Sequence, residues 1–401
     1  MATAEGEATV TLSPGEVEFW VGFGSPCELK TTVTDAPEGS VVRYTSSDAS
    51  IASVSETGNL TPLSLGVTYV TATLTNADGT AVYATSNTVT VRVVENPITI
   101  PEGSDPENQL FNLGSTSVPR IDKDEFLTWP TEYGNAHVTL WKDGKTGVVT
   151  MTVDDNIMAE FSFWNELLLQ YGLPTTFIAP TSGYSEAASM WQYETALGQA
   201  VQSHTHGHPS GGDYANMSTA EVWMDFYLGY LEIGKYSGSP SRIIGYSYGW
   251  NNAEYSSKIY IAGRGTTGSA NGVTATNYNQ TASFSGLNSS YMTKFNAITE
   301  GSGRGGWCSV HWHSVSRSTD LVRQIYASLY ELSEQRKIWT ATFADAAMYG
   351  QERDTSTLTV TGSSDNVFSF VLTDRMNDNY YDFPLTVAIR ADSRWQAAAA
   401  M

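Results

Sequence analysis

Between residues 147 and 342 short β-branched runs alternate with amphipathic helical segments, and this restricts the region to a layered or barrel-like α/β fold. The run 147–153 reads as a strand and ends in Asp154-Asp155-Asn156. Ile157, Phe161, Trp164, Leu168 and Tyr171 follow at helical spacing, and Gly172-Leu173-Pro174 stops that helix. Residues 175–179 are the next strand. A helix over 190–197 then leads to the strand that delivers 203–209. Ser218-Thr219-Ala220-Glu221 is a capping box for a helix reaching Lys235. Strands are expected at 243–248, 259–262, 307–313 and 338–342, with a helix over 320–333.

The segment 203–209, S-H-T-H-G-H-P, concentrates His204, His206 and His208 in a chain with only six His. Imidazoles that close together suit a metal site, and one helical turn would put His204 and His208 on a common face. The plainer alternative is a polar loop with incidental histidines. Asp154 and Asp155 invite the same weighing. Active sites of α/β folds gather at the C-terminal ends of strands, whereas a single Asp there often only caps the next helix.

Upstream, 8–94 reads as many short strands split by turns such as Ser13-Pro14-Gly15 and Asn76-Ala77-Asp78-Gly79, the pattern of a β-sandwich. Tyr44, Ser46-Ser47-Asp48, Ala52-Ser53-Val54, Gly58, and Gly66 with Val70 and Ala72 make this stretch similar to the bacterial Ig-like group 2 family. That resemblance implies an extracellular spacer or adhesion module, with carbohydrate binding as the functional alternative. The resulting division is an Ig-like sandwich at 1–96, a Pro-rich linker at 97–135, an α/β domain at 136–353, and a small accessory β element with the tail at 354–401. Leu110, Phe111, Leu113, Phe126, Leu127 and Trp129 are too apolar for a free tether, so the linker is expected to dock on the next domain.

The charge balance narrows the partners. With 42 acidic against 21 basic residues the net charge is −21, which argues against nucleic acid or an anionic membrane surface. No apolar run is long enough to span a bilayer. The few charged residues and abundant Gly, Ser, Thr, Asn and Tyr fit an exported bacterial protein, secreted or held at the cell surface or in the periplasm. No signal peptide is visible, and both ends read as trimmed. Cys27 and Cys308 fall in different expected domains and are read as free thiols. A monomer is expected.

The order of motifs resembles the polysaccharide deacetylase family, also called the NodB-homology domain or carbohydrate esterase family 4. Thr152-Val153-Asp154-Asp155 is similar to its first motif and His204-Thr205-His206-Gly207-His208 to its second. Trp307 to His313 resembles the strand that ends in the family's catalytic His, and the likeness runs from Val148 to Arg353. It implies a distorted (β/α) barrel and a metal-dependent hydrolase removing N- or O-linked acetyl groups from a carbohydrate. Asp155, His204 and His208 would hold a divalent ion, Zn2+ first, with Co2+, Ni2+ or Mn2+ as substitutes. Asp154 would be the general base and His313 the general acid, with His311 in reserve and His206 structural. The family's Arg-Pro-Pro-Tyr-Gly motif is reduced to Tyr248-Gly249, and its Asp-x-x-Asp-Trp motif is missing. Arg264 is a candidate replacement for the lost Arg. Tyr248, Trp250, Arg264 and Trp312 are candidate substrate contacts, and Tyr184 and Tyr246 candidate stacking rings. The alternatives are a non-catalytic glycan-binding protein on a deacetylase fold, or a metal hydrolase acting on a non-sugar amide or ester.

Overall fold

The computed structural model describes residues 7–23, 26–95, 130–183, 187–239, 241–250, 253–363, 367–374 and 376–391. The expected docking of the linker's apolar residues, and Tyr184, lie outside them. The chain divides into two compact units, Met1–Thr99 with Pro209–Tyr227, and Ile100–His208 with Leu228–Met401.

The first unit is built from strands, as its β-branched alternation predicts. Glu16–Trp20, Val89–Val94, Gly66–Thr75, Val41–Ser46 and Val82–Thr85 form one five-stranded sheet. Smaller sheets pair Thr9–Ser13 with Lys30–Thr34, and Cys27–Glu28 with Asn59–Pro62 and Ala52–Val54. Along Gly66–Thr75 the side chains of Thr68, Val70, Ala72 and Leu74 point inward, and Val67 and Tyr69 stay exposed, the period-two signature of a half-buried strand. Trp223, from the second stretch of this unit, donates from Nε1 to the Glu18 carbonyl at 2.7 Å and meets Trp20 edge-on. The Ser218–Glu221 capping box forms as expected: Glu221 accepts from Ser218 N at 2.7 Å, and Glu221 N donates to Ser218 Oγ at 3.3 Å.

The second unit centres on an eight-stranded sheet of parallel strands. They are β1 Gly147–Asp154, β2 Thr176–Ala179, β3 Ala200–Ser203, β4 Ile243–Gly245, β5 Ala262–Arg264, β6 Phe284–Ser285, β7 Trp307–Trp312 and β8 Ile338–Ala341. The sheet order is β5-β4-β3-β2-β1-β7-β6, with β8 on β1. The two edges approach one another through 281–285, where Thr281 bridges Arg264 while Phe284 and Ser285 pair with Val310 and His311. Every residue of β1 is buried, as a strand covered on both faces requires. Val149, Met151 and Val153 share one apolar core with Phe161, Trp164, Phe177, Val310 and Trp312. The opposite parity, Thr150, Thr152 and Asp154, leads to the site.

Helices α1 Phe161–Tyr171, α2 Ala188–Leu197, α3 Thr219–Ser237, α4 Tyr291–Thr299, α5 Thr319–Glu334 and α6 Phe343–Thr355 complete the alternation. The expected strand at 259–262 begins only at Ala262. Ile259 N and Tyr260 N donate to the Ser256 carbonyl at 3.0 and 2.8 Å, so the start of that apolar run is a turn. Likewise β4 ends at Gly245, and Ser247–Gly249 is a 3-10 turn. Thr357–Ser363 and Phe368–Thr373 make a two-stranded ribbon, and Val387–Ile389 pairs with Ala136–Val138. No described helix is long and apolar enough to cross a membrane. Cys27 and Cys308 are both buried, and neither is in a disulfide.

Glu352 of α6 is 3% exposed and accepts from Phe383 N at 2.9 Å. Burial, with Asp374, Asp382 and Asp378 nearby, pushes its carboxyl up to about 8. An acid whose folded pKa is raised stabilises fully below its unfolded value, and that contribution is lost as pH rises through the folded value. The stability of this unit should therefore decline between about pH 4.5 and 8. The loss is on the order of a few kcal/mol, because each tenfold change in proton affinity is worth about 1.4 kcal/mol. Thermal melts of Glu352→Gln should be flatter across that window; an unchanged slope would assign the decline to other groups.

Candidate metal centre

The site lies at the C-terminal edge of β1, β3, β4, β5 and β7. Asp154 is the last residue of β1 and is 2% exposed, while Asp155 follows in the turn and is half-buried. His204 follows β3 and is 2% exposed. The segment to His208 is not helical, so the expected helical face is corrected. Thr205 and His208 take left-handed φ values of 68° and 50°, and this tight turn brings the two imidazoles together, centroids 4.5 Å apart. A β-branched residue is rare in that region. Thr205 is held there by its own N–H on Ser203 Oγ at 3.1 Å and by His208 N on its Oγ1 at 3.1 Å.

One nitrogen from each of His204 and His208 and one oxygen of Asp155 all lie within 4.8 Å of one another. Nε2 is 3.6 Å from Asp155 Oδ1 for His204 and 3.2 Å for His208. His204 Nδ1 lies 2.7 Å from the Gly245 carbonyl. A carbonyl only accepts, so Nδ1 carries the proton and Nε2 presents its lone pair to the centre. Orientation of a ligating His through its other nitrogen is usual at metal sites. Burial pushes His204 down to about 4, against the opposing pull of Asp154, which keeps the imidazole neutral at ordinary pH. The hydrogen bond with His208 holds the Asp155 carboxyl below its usual value, against the opposing effect of burial. Two imidazoles and a carboxylate are a donor set that fits a divalent transition metal.

Arg264, at the end of β5, is fully buried, and its Nη2 meets both Asp154 oxygens at 2.6 Å. It does not face substrate, so that expectation is corrected: the guanidinium is spent on Asp154, the task for which it was also a candidate. Gly245 makes room for it, since a Cβ there would lie 2.8 Å from Arg264 Nη2 and 2.5 Å from Ile178. Trp312 is also corrected. It alternates with His311 on β7, points into the apolar core and is 7% exposed. Tyr246 is 1% exposed and donates its hydroxyl to the Asn279 carbonyl at 2.7 Å, so it is no stacking platform. Tyr248 is 70% exposed, with its ring 5.1 Å from His208; Trp250 is half-buried.

His313 stands just past β7 with 59% of its side chain exposed and Nε2 3.8 Å from Asp155 Oδ2. His311 is 3% exposed, bonded at Nδ1 to Ser283 Oγ at 2.9 Å, and pushed down to about 4 by burial and the charge of Arg264. His206 turns away to Thr181 Oγ1 at 2.8 Å and Glu232 at 3.6 Å. Sequence reasoning missed Ser283, Thr181 and the role of Gly245. Only Gly245 carried a signal, as a glycine inside the expected strand 243–248.

Several solved structures align with about half of the chain. The Xyl-CE4 domain of a multidomain xylanase from the hindgut metagenome of Trinervitermes trinervoides is 18% identical, covers 50% of this chain and 89% of that one, and has a TM-score of 0.37. A family 4 carbohydrate esterase from Streptomyces lividans in complex with acetate is 16% identical, with 49% and 92% covered and a TM-score of 0.34. A family 4 acetyl xylan esterase from Clostridium thermocellum in complex with cobalt is 15% identical, with 50% and 89% covered and a TM-score of 0.34. A gellan lyase from Bacillus sp is 29% identical over 321 residues; the match covers 72% of this chain but only 13% of that relative's length. Residues 8–86 match the bacterial Ig-like domain (group 2) family, and the N-terminal strands are a domain of that kind.

Proposed function

We propose that the second unit is a metal-dependent hydrolase that removes acetyl groups from a carbohydrate. The observation that carries this reading is the meeting of Asp155, His204 and His208 with a guanidinium-held Asp154 and an exposed His313 at one edge of a parallel sheet. Asp155, His204 and His208 would hold a divalent ion, which would supply Lewis-acid chemistry, acidifying water and polarising an acyl oxygen. Asp154 takes a proton from the attacking water, with both its oxygens oriented by Arg264. His313, open to solvent, protonates the leaving nitrogen or oxygen. Tyr248 offers an exposed ring beside His208 against which the apolar face of a sugar can rest. The Ig-like domain and the exported-type composition support action outside the cytoplasm, on glycan rather than nucleic acid.

The test is acetate release from a panel of N- and O-acetylated oligosaccharides, preceded by elemental analysis. Expected are about one divalent ion per chain, acetate release from at least one substrate, loss of that release with chelator, and recovery with Zn2+ or Co2+. Bound metal and glycan affinity with no acetate from any substrate would leave a binding protein on this fold. Release that survives complete metal removal would end the proposal.

A further inference from the structure

We propose that Glu160 is a positioning residue for His313, a role that rests on the reading of His313 as the general acid. His313 begins the turn after β7, and its side chain is 59% exposed. What holds its backbone is the next three residues. The Glu160 carboxylate accepts from Ser314 Oγ at 2.5 Å, from Val315 N at 3.0 Å to Oε2 and 3.2 Å to Oε1, and from Ser316 N at 3.2 Å. Two successive backbone N–H groups and a hydroxyl on one anion make a concave seat, and charge-assisted bonds of this kind are the strong ones. The Val315 side chain, 1% exposed, adds an apolar anchor.

Glu160 itself ends the 3-10 turn Met158–Glu160, shortly after Asp154 and Asp155, and the buried Phe161 roots it. A single carboxylate thus ties the chain leaving β1, which carries the base and a metal ligand, to the chain leaving β7, which carries the acid. The strands are already in register, Val153 beside Trp312, but register alone does not fix a turn beyond the sheet. With Glu160 gone, Ser314 to Ser316 lose their shared acceptor, and the turn that carries His313 loses its tie to the chain leaving β1.

Displacement of a catalytic group by about 1 Å can cost on the order of 100-fold in rate. Glu160→Ala is therefore expected to lower kcat about 10–100-fold while leaving KM within about twofold and the metal content unchanged, because it touches neither ligands nor substrate. Glu160→Gln, which keeps an acceptor oxygen, should recover part of the loss, and Ser314→Ala should show a smaller one. The decisive measurement is a double-mutant cycle with His313→Ala. In that background Glu160→Ala should cost nothing further, because there is no acid left to position; a merely structural role would persist.

Equal losses from Glu160→Ala in both backgrounds, or an unchanged kcat in a folded Glu160→Ala protein, would overturn the clamp. Should Glu160→Ala fail to fold, Glu160→Gln and Ser314→Ala carry the same cycle. Failure of the underlying reading looks different: wild-type protein would release no acetate, or His313→Ala would turn over normally.

Discussion

A His204→Ala variant is expected to retain no stoichiometric metal and to lose far more activity than the roughly 10–100-fold that removal of an outer-shell partner costs. His204 is the most buried of the three proposed ligands and the one whose second nitrogen is tied to a backbone carbonyl. Without it, the remaining donors are Asp155 and His208, both half-buried and both in left-handed turns. Asp154→Asn separates the two functions of the edge. It should keep the metal, since Asp154 lies outside the ligand group, and lose about 10²–10⁴-fold in kcat, the usual worth of a general base. Elemental analysis and acetate release on the same samples distinguish these outcomes. A His204→Ala protein with wild-type metal content and turnover would move the active site elsewhere.

The second large effect concerns stability. Arg264→Met should destabilise the fold by about 3–5 kcal/mol, because it strands the Asp154 carboxylate in a buried position without its counter-charge. The guanidinium is 0% exposed, and its Nε and Nη1 find no other partner among the described residues. Its presence is thus explained by the carboxylate rather than by packing. The double variant Arg264→Met/Asp154→Asn should regain much of the lost stability, because replacing both members of a buried pair costs less than breaking it. It should stay inactive. Urea melts of the four proteins give the coupling energy directly. Additive effects would mean that the pair does not act as a unit.

The parts of this site that are legible in the sequence are those with dense local spacing. Asp154-Asp155 after a β-branched run and the histidines at 204, 206 and 208 announce themselves. So does the alternation of strand and helix, because each element repeats its own period. The partners that complete the site come from far along the chain. Arg264 is legible only as a charge near a strand end; that it grips Asp154 depends on β5 and β1 lying in one sheet whose order the sequence does not encode locally. Glu160 and residues 314–316 have no shared pattern at all.

The errors follow the same logic. Ile259, Tyr260 and Ile261 are buried whether they form a strand or a turn, so an apolar run cannot separate the two. An aromatic ring such as Trp312 suits a sugar contact, but its strand parity, opposite to that of His311, sends it into the core. Helices α4 and α6 carry weak signals. Asn288-Ser289-Ser290 before α4 merges with the loop-like composition around it. Thr342, which caps α6 by accepting from Asp345 N at 3.1 Å, directly follows β8 and reads equally well as that strand's last residue.

Asp155, Asn156, Thr205, His208 and Tyr248 all bend into the left-handed region along one edge of the sheet. Such bends are stable only where the surrounding structure enforces them. Anyone transplanting this constellation onto a different barrel would therefore need to carry over the contorted connecting peptides as a set; copying the donor side chains onto relaxed loops would aim them in the wrong directions.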